Sequence, residues 1–448
     1  MKFKSLSIIV SIFVAAPALS QSEYHYSNDL NIKLSDKSVN ANLTERMKKP
    51  VLHIEKPDKD GISHNYFDDF NVGKKGLFIN NRSGANIIIN EVISGATTTL
   101  AGNIKVVWND ANLIIANPNG ITCSKCSFTN IPDATLITAK ITGDSVKNKP
   151  KTYENIDGKI TVTHTDITSK NKLSIMSNNI SINNSNINTG ELNIDLLTTA
   201  EYKTSKTNNH AGMYDIAYSG SVIVERDTSK LFIDKNSSLV SDNTSINMNE
   251  SEFINNGIIS GGILNISSSD ASPYLYDSVD NENITNMVNN GRIDSRKFLL
   301  SGIGNSFENN GKITSDFNLT LQGSTFTNNG IIDNTRHSSN KVLLNLDYSN
   351  FVNNAIVKTP ELAVEYHTEN TLTNNGELYF TSYHADKAYN TLPDDPEFNN
   401  YTFKNTGSVF AYNAYDNKYE KSYFLTDVIS LNRFIPNVIL MQEGGKHR

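Results

Sequence analysis

Residues 307–332 read FENNGKITSDFNLTLQGSTFTNNGII. The frame Phe307-x-Asn309-Asn310-Gly311-x-Ile313 returns as Phe326-x-Asn328-Asn329-Gly330-x-Ile332. Earlier copies are Phe253-x-Asn255-Asn256-Gly257-x-Ile259 and Met287-x-Asn289-Asn290-Gly291-x-Ile293. Later, looser ones begin at Phe351, Leu372 and Phe403, with Ala355, Gly376 and Gly407 at the glycine position. Successive glycine positions are 34, 20, 19, 25, 21 and 31 residues apart. The two shortest steps set the unit, and the longer ones read as that unit with a loop inserted, as at 267–283 or 333–341. Self-similarity at such a period is the mark of a solenoid, whose units bury their apolar faces only against neighbours.

Each unit predicts three short strands. Ile313 marks the first, Leu319 with Leu321 the second and Phe326 the third, and Leu344, Leu346 and Phe351 keep the same offset. The expected fold is all-β: a right-handed parallel β-helix, its hand taken from the general preference of parallel connections. Phe253, Phe307, Phe326 and Phe351 are expected on one interior column. The Asn-Asn-Gly corner is expected to use left-handed backbone angles, and aligned asparagines to bond from coil to coil. Exposed solenoid ends need caps. The polar segment 21–51 is the candidate N-terminal cap, with a first strand at Val51-Leu52-His53-Ile54, and 411–448 the C-terminal cap or tail, with 423–425 and 434–441 as apolar closing segments.

The first half carries many short strand-like runs and turn residues but no such frame. Its centre, 111–130, reads ANLIIANPNGITCSKCSFTN. Ala111, Leu113 and Ile115 alternate with less apolar residues, predicting a strand with one buried face. Asn117-Pro118-Asn119-Gly120 then predicts a turn, with Pro118 presetting its first corner and Gly120 taking angles a Cβ forbids. A short strand with Cys123 and Cys126, the two cysteines of the chain, follows.

The 448 residues carry 19% charged and 38% hydrophobic residues and a formal net charge of −7. The apolar deficit is filled by Asn, Ser and Thr, and no basic tract with interleaved aromatics is present, which argues against nucleic acid as a partner. Residues 1–20 read as a secretory signal peptide: Lys2 and Lys4 precede an apolar run from Leu6 to Ala16 that is too short to span a bilayer. Ala16-Pro17-Ala18 and Ala18-Leu19-Ser20 offer cleavage sites. The expected destination is outside the cytoplasm.

Several motifs in order resemble the secretion domain of two-partner-secretion exoproteins, the filamentous haemagglutinin and haemolysin family. They are Ile62-Ser63-His64-Asn65, Phe70-Asn71-Val72, Gly76, Asn80-Asn81, Leu100-x-Gly102, and Asn117-Pro118-Asn119-Gly120-Ile121 followed by Cys123-x-x-Cys126. The likeness covers 52–142, which divides the chain into that core, irregular coils over 143–250 and the Asn-Asn-Gly helix over 251–410. The resemblance implies export through a dedicated outer-membrane β-barrel transporter of a Gram-negative bacterium. It also implies that Asn117, Pro118, Asn119 and Gly120 form the corner used for transporter recognition or for nucleating the helix. Family members act as adhesins, haemagglutinins, cytolysins or toxin carriers, which makes a host-cell surface or glycan the further partner.

Cys123-x-x-Cys126 has three readings. Zinc needs further ligands, a thioredoxin-like role needs a helix after the strand, and an exported chain with one cysteine pair most simply forms a structural disulfide. The resemblance agrees with the last, since haemolysin-like members carry this pair. The competing function is a secreted β-helix polysaccharide lyase or hydrolase. It would need carboxylates and a base aligned on one face. Asp68-Asp69 and Asp394-Asp395 with Glu397 do not recur at coil spacing beside a base, and Asp215 and Glu225 offer nothing firmer. The expectation is therefore no enzyme, no metal and no cofactor. Tyrosines over 379–423 (Tyr383, Tyr389, Tyr401, Tyr412, Tyr415, Tyr419 and Tyr423) are expected to pack over the end of the core.

Overall fold

The Asn-Asn-Gly frames fold into parallel strands stacked in strict register. Leu231 lies beside Phe253, Phe253 beside Met287, and Phe307, Phe326, Phe351, Leu372 and Phe403 follow, each paired with the next. All are buried, so the repeat's aromatic position is one interior column. Within it the Phe326 and Phe351 rings stack with centroids 5.4 Å apart. The computed structural model describes residues 21–26, 30–142, 152–154, 158–196, 202–204, 221–223, 229–248, 251–268, 286–335, 341–367, 369–387, 401–413, 418–421 and 429–431. The signal peptide, most of the two inserted loops, the Asp394-Asp395 group, Asp215, Glu225, Tyr389, Tyr415, Tyr423 and both apolar closing segments lie outside these residues.

Among the described residues every regular element is a strand. They form a parallel β-helix whose faces are sheets of 21, 13 and 5 strands. The N-terminal cap is antiparallel. Glu23–His25 pairs with Asn31–Leu34, which pairs with Ile62–Phe70, and Asn42–Arg46 pairs with Lys49–His53. Alternation of Ile32 and Leu34 with polar neighbours, and burial of Leu43 and Leu52, tie these strands to the core. At the other end Lys418–Lys421 and Ile429–Leu431 pair antiparallel with the last parallel strands. Tyr383 and Tyr401 are buried in the last coils, their hydroxyls 2.7 Å apart and their rings against Phe380, Phe403 and Tyr366.

Two local expectations are corrected. The first is the separation of the first two strands of each coil. Lys312–Gln322 is one continuous strand, as are Ser238–Met248, Ile258–Ser268 and Arg292–Ile303. No turn interrupts them because small residues occupy the bend. Ser241, Gly261 and Ser295 are register partners, and Ser295 Oγ lies 3.1 Å from the buried Ser315 Oγ. Separate strands return at Ile356–Lys358 and Glu361–Tyr366, where Thr359-Pro360 intervenes.

The second correction concerns the glycine of the frame. Gly291, Gly311 and Gly330 are not left-handed, so permissive backbone angles do not explain them. Close stacking does. A Cβ on Gly291 would lie 2.1 Å from Gly257 O, on Gly311 2.0 Å from Gly291 O, and on Gly330 2.1 Å from Gly311 O. Each glycine lets its coil settle on the one before.

The asparagines of the frame form two ladders that run in opposite senses. In the buried ladder each Nδ2 donates to the Oδ1 of the next coil: Asn255 to Asn289, Asn289 to Asn309, Asn309 to Asn328, Asn328 to Asn353, Asn353 to Asn374 and Asn374 to Asn405, at 2.7–2.8 Å. Backbone partners set this sense, because Asn328 Nδ2 also donates to Gly330 O and Ile356 O, while Asn255 Oδ1 accepts from Gly257 N. In the exposed ladder each Nδ2 points back, from Asn290 to Asn256, Asn310 to Asn290, Asn329 to Asn310, Asn354 to Asn329 and Asn375 to Asn354.

Candidate functional site

The strand Asn112–Ala116 enters the central turn between Ile87–Val92 and Asp133–Ile137, parallel to both. Leu113 and Ile115 face the core, as their alternation requires. Ile114 and Ala116, on the other face, are buried as well, so the strand has two buried faces where one was expected. The cause is an outer apolar cluster of Ile62, Ile87, Ile89, Ile114, Ala116, Ile137, Ala139 and Met176, against which Ile141 packs. Glu91, itself buried, secures that cover by accepting from Ile141 N at 3.1 Å and meeting His64 Nε2 at 2.7 Å.

Asn117 holds the turn together. Its carbonyl accepts from Gly120 N at 3.1 Å and its Oδ1 accepts from Asn119 N at 2.9 Å. Its Nδ2 donates to Ala96 O and Thr98 Oγ1, both 2.9 Å away in the preceding coil. A wholly buried amide so saturated has no group left to offer a partner. Gly120 adopts φ +119°, in the left-handed half of the map, and its carbonyl accepts from Thr98 N at 3.0 Å. Pro118 is half-buried and Asn119 is exposed, with Asn119 Nδ2 donating to Ser94 O at 2.8 Å. The turn is closed from the following coil by Gly158, where a Cβ would lie 2.4 Å from Pro118 O.

The exposed side of Pro118 and Asn119 borders a groove of about 690 Å³ whose lining includes Lys37, Ile93, Thr97 and Lys140. Of the four turn residues the groove therefore meets two, while Asn117 and Gly120 belong to the stack. The sequence does not single out Thr98 and Gly158. Their part depends on which coil lies above or below, and no local pattern reports that.

The strand after the turn, Ile121–Ser124, carries Cys123 in register with Leu100 and Val162, whereas Cys126, expected on the same strand, lies in the bend before Ser127–Thr129; both are buried. Their sulfurs are bonded at 1.94 Å, with Cα atoms 5.3 Å apart. Lys125, between them, has φ +66°, and its N–H donates to Thr165 Oγ1 at 2.8 Å. Among the described residues no group of three or more His, Cys, Asp or Glu is placed to hold a metal. Asp68 pairs with Lys33 at 3.1 Å and Asp69 accepts from Asn31 Nδ2 at 3.2 Å, so both carboxylates serve the cap.

A family model described as the TPS secretion domain matches residues 32–315. The toxin CdiA of Escherichia coli is 36% identical over 160 residues, covering 31% of this chain and 5% of that protein. A hemolysin of Proteus mirabilis is 36% identical over 107 residues, covering 19% of this chain and 7% of that protein. The chain thus matches a small part of the length of these curated relatives. The solved filamentous hemagglutinin secretion domain is 16% identical, with TM-score 0.33, over 82% of this chain and 97% of that one. The HMW1 secretion domain from Haemophilus influenzae is 14% identical, with TM-score 0.31, over 87% of this chain and 99% of that one.

Proposed function

Because the chain belongs to the TPS secretion domain family, we propose that it is exported through a dedicated outer-membrane β-barrel transporter and then acts as an adhesin- or haemolysin-like interaction protein. Members of this family are secreted or cell-surface exoproteins of Gram-negative bacteria, and this chain is one of them. The family match over 32–315 carries the reading. Likeness to a hemolysin supports the second half of it, and a host-cell surface or glycan is the target class.

The Asn117–Gly120 corner divides its work by exposure. Asn117 and Gly120 nucleate the helix as it emerges, since their bonds join three coils and form only when those coils meet. Pro118 and Asn119 present the groove side to the transporter. Export needs no ATP if each new coil stacks on one already formed and so biases the chain outward. The bond between Cys123 and Cys126 forms during passage through the oxidising periplasm.

The test is co-expression of Asn117→Ala and Asn119→Ala variants with the transporter, with refolding of each purified variant measured separately. Asn117→Ala is expected to lose both secretion and refolding of the first coils, and Asn119→Ala to lose secretion while refolding normally. Normal secretion of both variants would remove the corner from the export mechanism.

A further inference from the structure

One hairpin of the cap departs from the turn chemistry its geometry demands. Asn42–Arg46 and Lys49–His53 pair with Arg46 opposite Lys49, so the connection is the two residues Met47 and Lys48. Both have positive φ, 53° and 60°. Such a turn is ordinarily Asn-Gly, because a larger side chain strains a left-handed backbone. Here the strained position holds methionine 85% exposed at the tip of the hairpin. Arg46, Lys48 and Lys49 flank it.

The same chemistry continues along the edge of the sheet. Lys49–His53, Leu77–Asn81, Asn103–Trp108 and Ser127–Thr129 run parallel in one sheet, so their N-terminal ends lie on one side. Lys74 and Lys75 precede the second of these strands and Lys125 the fourth, which brings them to the side of the hairpin tip. Lys105 is the register partner of Phe78, and Lys49 Nζ sits 4.6 Å over the Phe78 ring. Across these strands and turns seven cations (Arg46, Lys48, Lys49, Lys74, Lys75, Lys105 and Lys125) face one carboxylate, Glu45. None of the seven is in an ion pair among the described residues. In a chain of net charge −7 this is a local reversal of sign.

We propose that this edge docks on an anionic lipid surface, with Met47 entering the boundary between headgroups and acyl chains while the surrounding cations meet the phosphates. Cations alone suit any polyanion. An apolar side chain held out at their centre, against backbone strain, suits a layer whose charge overlies an apolar interior. The surface is independent of the Asn117 corner and of the export reading.

The experiment uses the purified full chain, refolded so that it does not depend on export, and vesicles of phosphatidylcholine with or without one-third phosphatidylglycerol. Three proteins are compared: the natural chain, Met47→Asn, and Arg46→Gln with Lys48→Gln and Lys49→Gln. Asparagine relaxes the left-handed turn, so Met47→Asn keeps the hairpin while removing its apolar tip. Expected are binding to the anionic vesicles alone, at least a tenfold weakening in either variant, and loss on raising salt from 50 to 500 mM. Absence of binding to anionic vesicles overturns the proposal, as does binding that both variants retain. So does a result in which the variants lose only an acidic protein partner, which would make the edge a protein-docking surface.

Discussion

Asn328→Ala tests the buried ladder, because the cost of losing one rung can be worked from its partners. Asn328 Nδ2 donates to Asn353 Oδ1 at 2.8 Å and to Gly330 O and Ile356 O at 3.1 Å, and Asn309 Nδ2 donates to its Oδ1 at 2.8 Å. Truncation leaves Asn309 Nδ2 with no acceptor, and Asn353 Oδ1 keeps only the 3.3 Å bond from Ala355 N. One buried group stripped of its partner, at about 1–3 kcal/mol, and a second left with one long bond, at about 1 kcal/mol, make a loss of about 2–4 kcal/mol. Asn329 is the matched control one residue away. It is exposed and also makes ladder bonds, to Glu308 and Asn310, but water replaces them, so Asn329→Ala is expected to cost less than about 0.5 kcal/mol. Urea unfolding of the secreted protein gives the stability of each variant, and hydrogen exchange locates the loss. Exchange is expected to quicken in the coils containing Asn309 and Asn353 and to be unchanged near the cap, since solenoid coils sense their neighbours. Equal stabilities for the two variants would refute a stabilising role for the buried ladder.

Three further outcomes follow from the packing. Gly311→Ala is expected to lose about 1–3 kcal/mol by thermal unfolding, because its Cβ would meet Gly291 O at 2.0 Å, whereas Gly95→Ala, with nothing within 4 Å, stays within about 0.5 kcal/mol of the natural chain. Burial raises the Tyr383 and Tyr401 hydroxyls above the ordinary tyrosine range. Their folded forms hold a proton that the unfolded chain gives up near pH 10, so stability is full below that pH and falls above it, and thermal unfolding followed by circular dichroism should show a lower midpoint as pH rises past about 10. Replacing Cys123 and Cys126 with serine removes a cross-link across a sequence separation of 3, expected to lower stability by about 2 kcal/mol, and thiol counting on secreted protein should find free thiols only after reduction.

The repeat half was legible because one frame marks the same place in every coil. Phe307 and Phe326 share a column since coil spacing and register coincide, and the paired asparagines align for the same reason. The glycine of that frame could be found but not explained. Permissive backbone angles and close approach leave the same letter in a sequence, and only the 2.0 Å approach to the preceding carbonyl separates them. The long bent strands were hidden because their bends use buried serines at 241, 295 and 315, which read as ordinary polar positions. In the central turn, Pro118 and Gly120 are local signals, while Asn117's bonds to Ala96 and Thr98 cross coils 19 to 21 residues apart. The second buried face of Asn112–Ala116 likewise depends on Ile141, which its own alternation cannot report.

Export through a partner transporter is tested most directly by expressing the full chain in a Gram-negative host with and without that outer-membrane protein, and measuring the chain in the medium and on the cell surface. Folded, protease-resistant protein is expected outside the cell only when the transporter is present, with the chain held in the periplasm and degraded there when it is absent. Equal amounts of folded protein outside the cell in both strains would contradict that expectation.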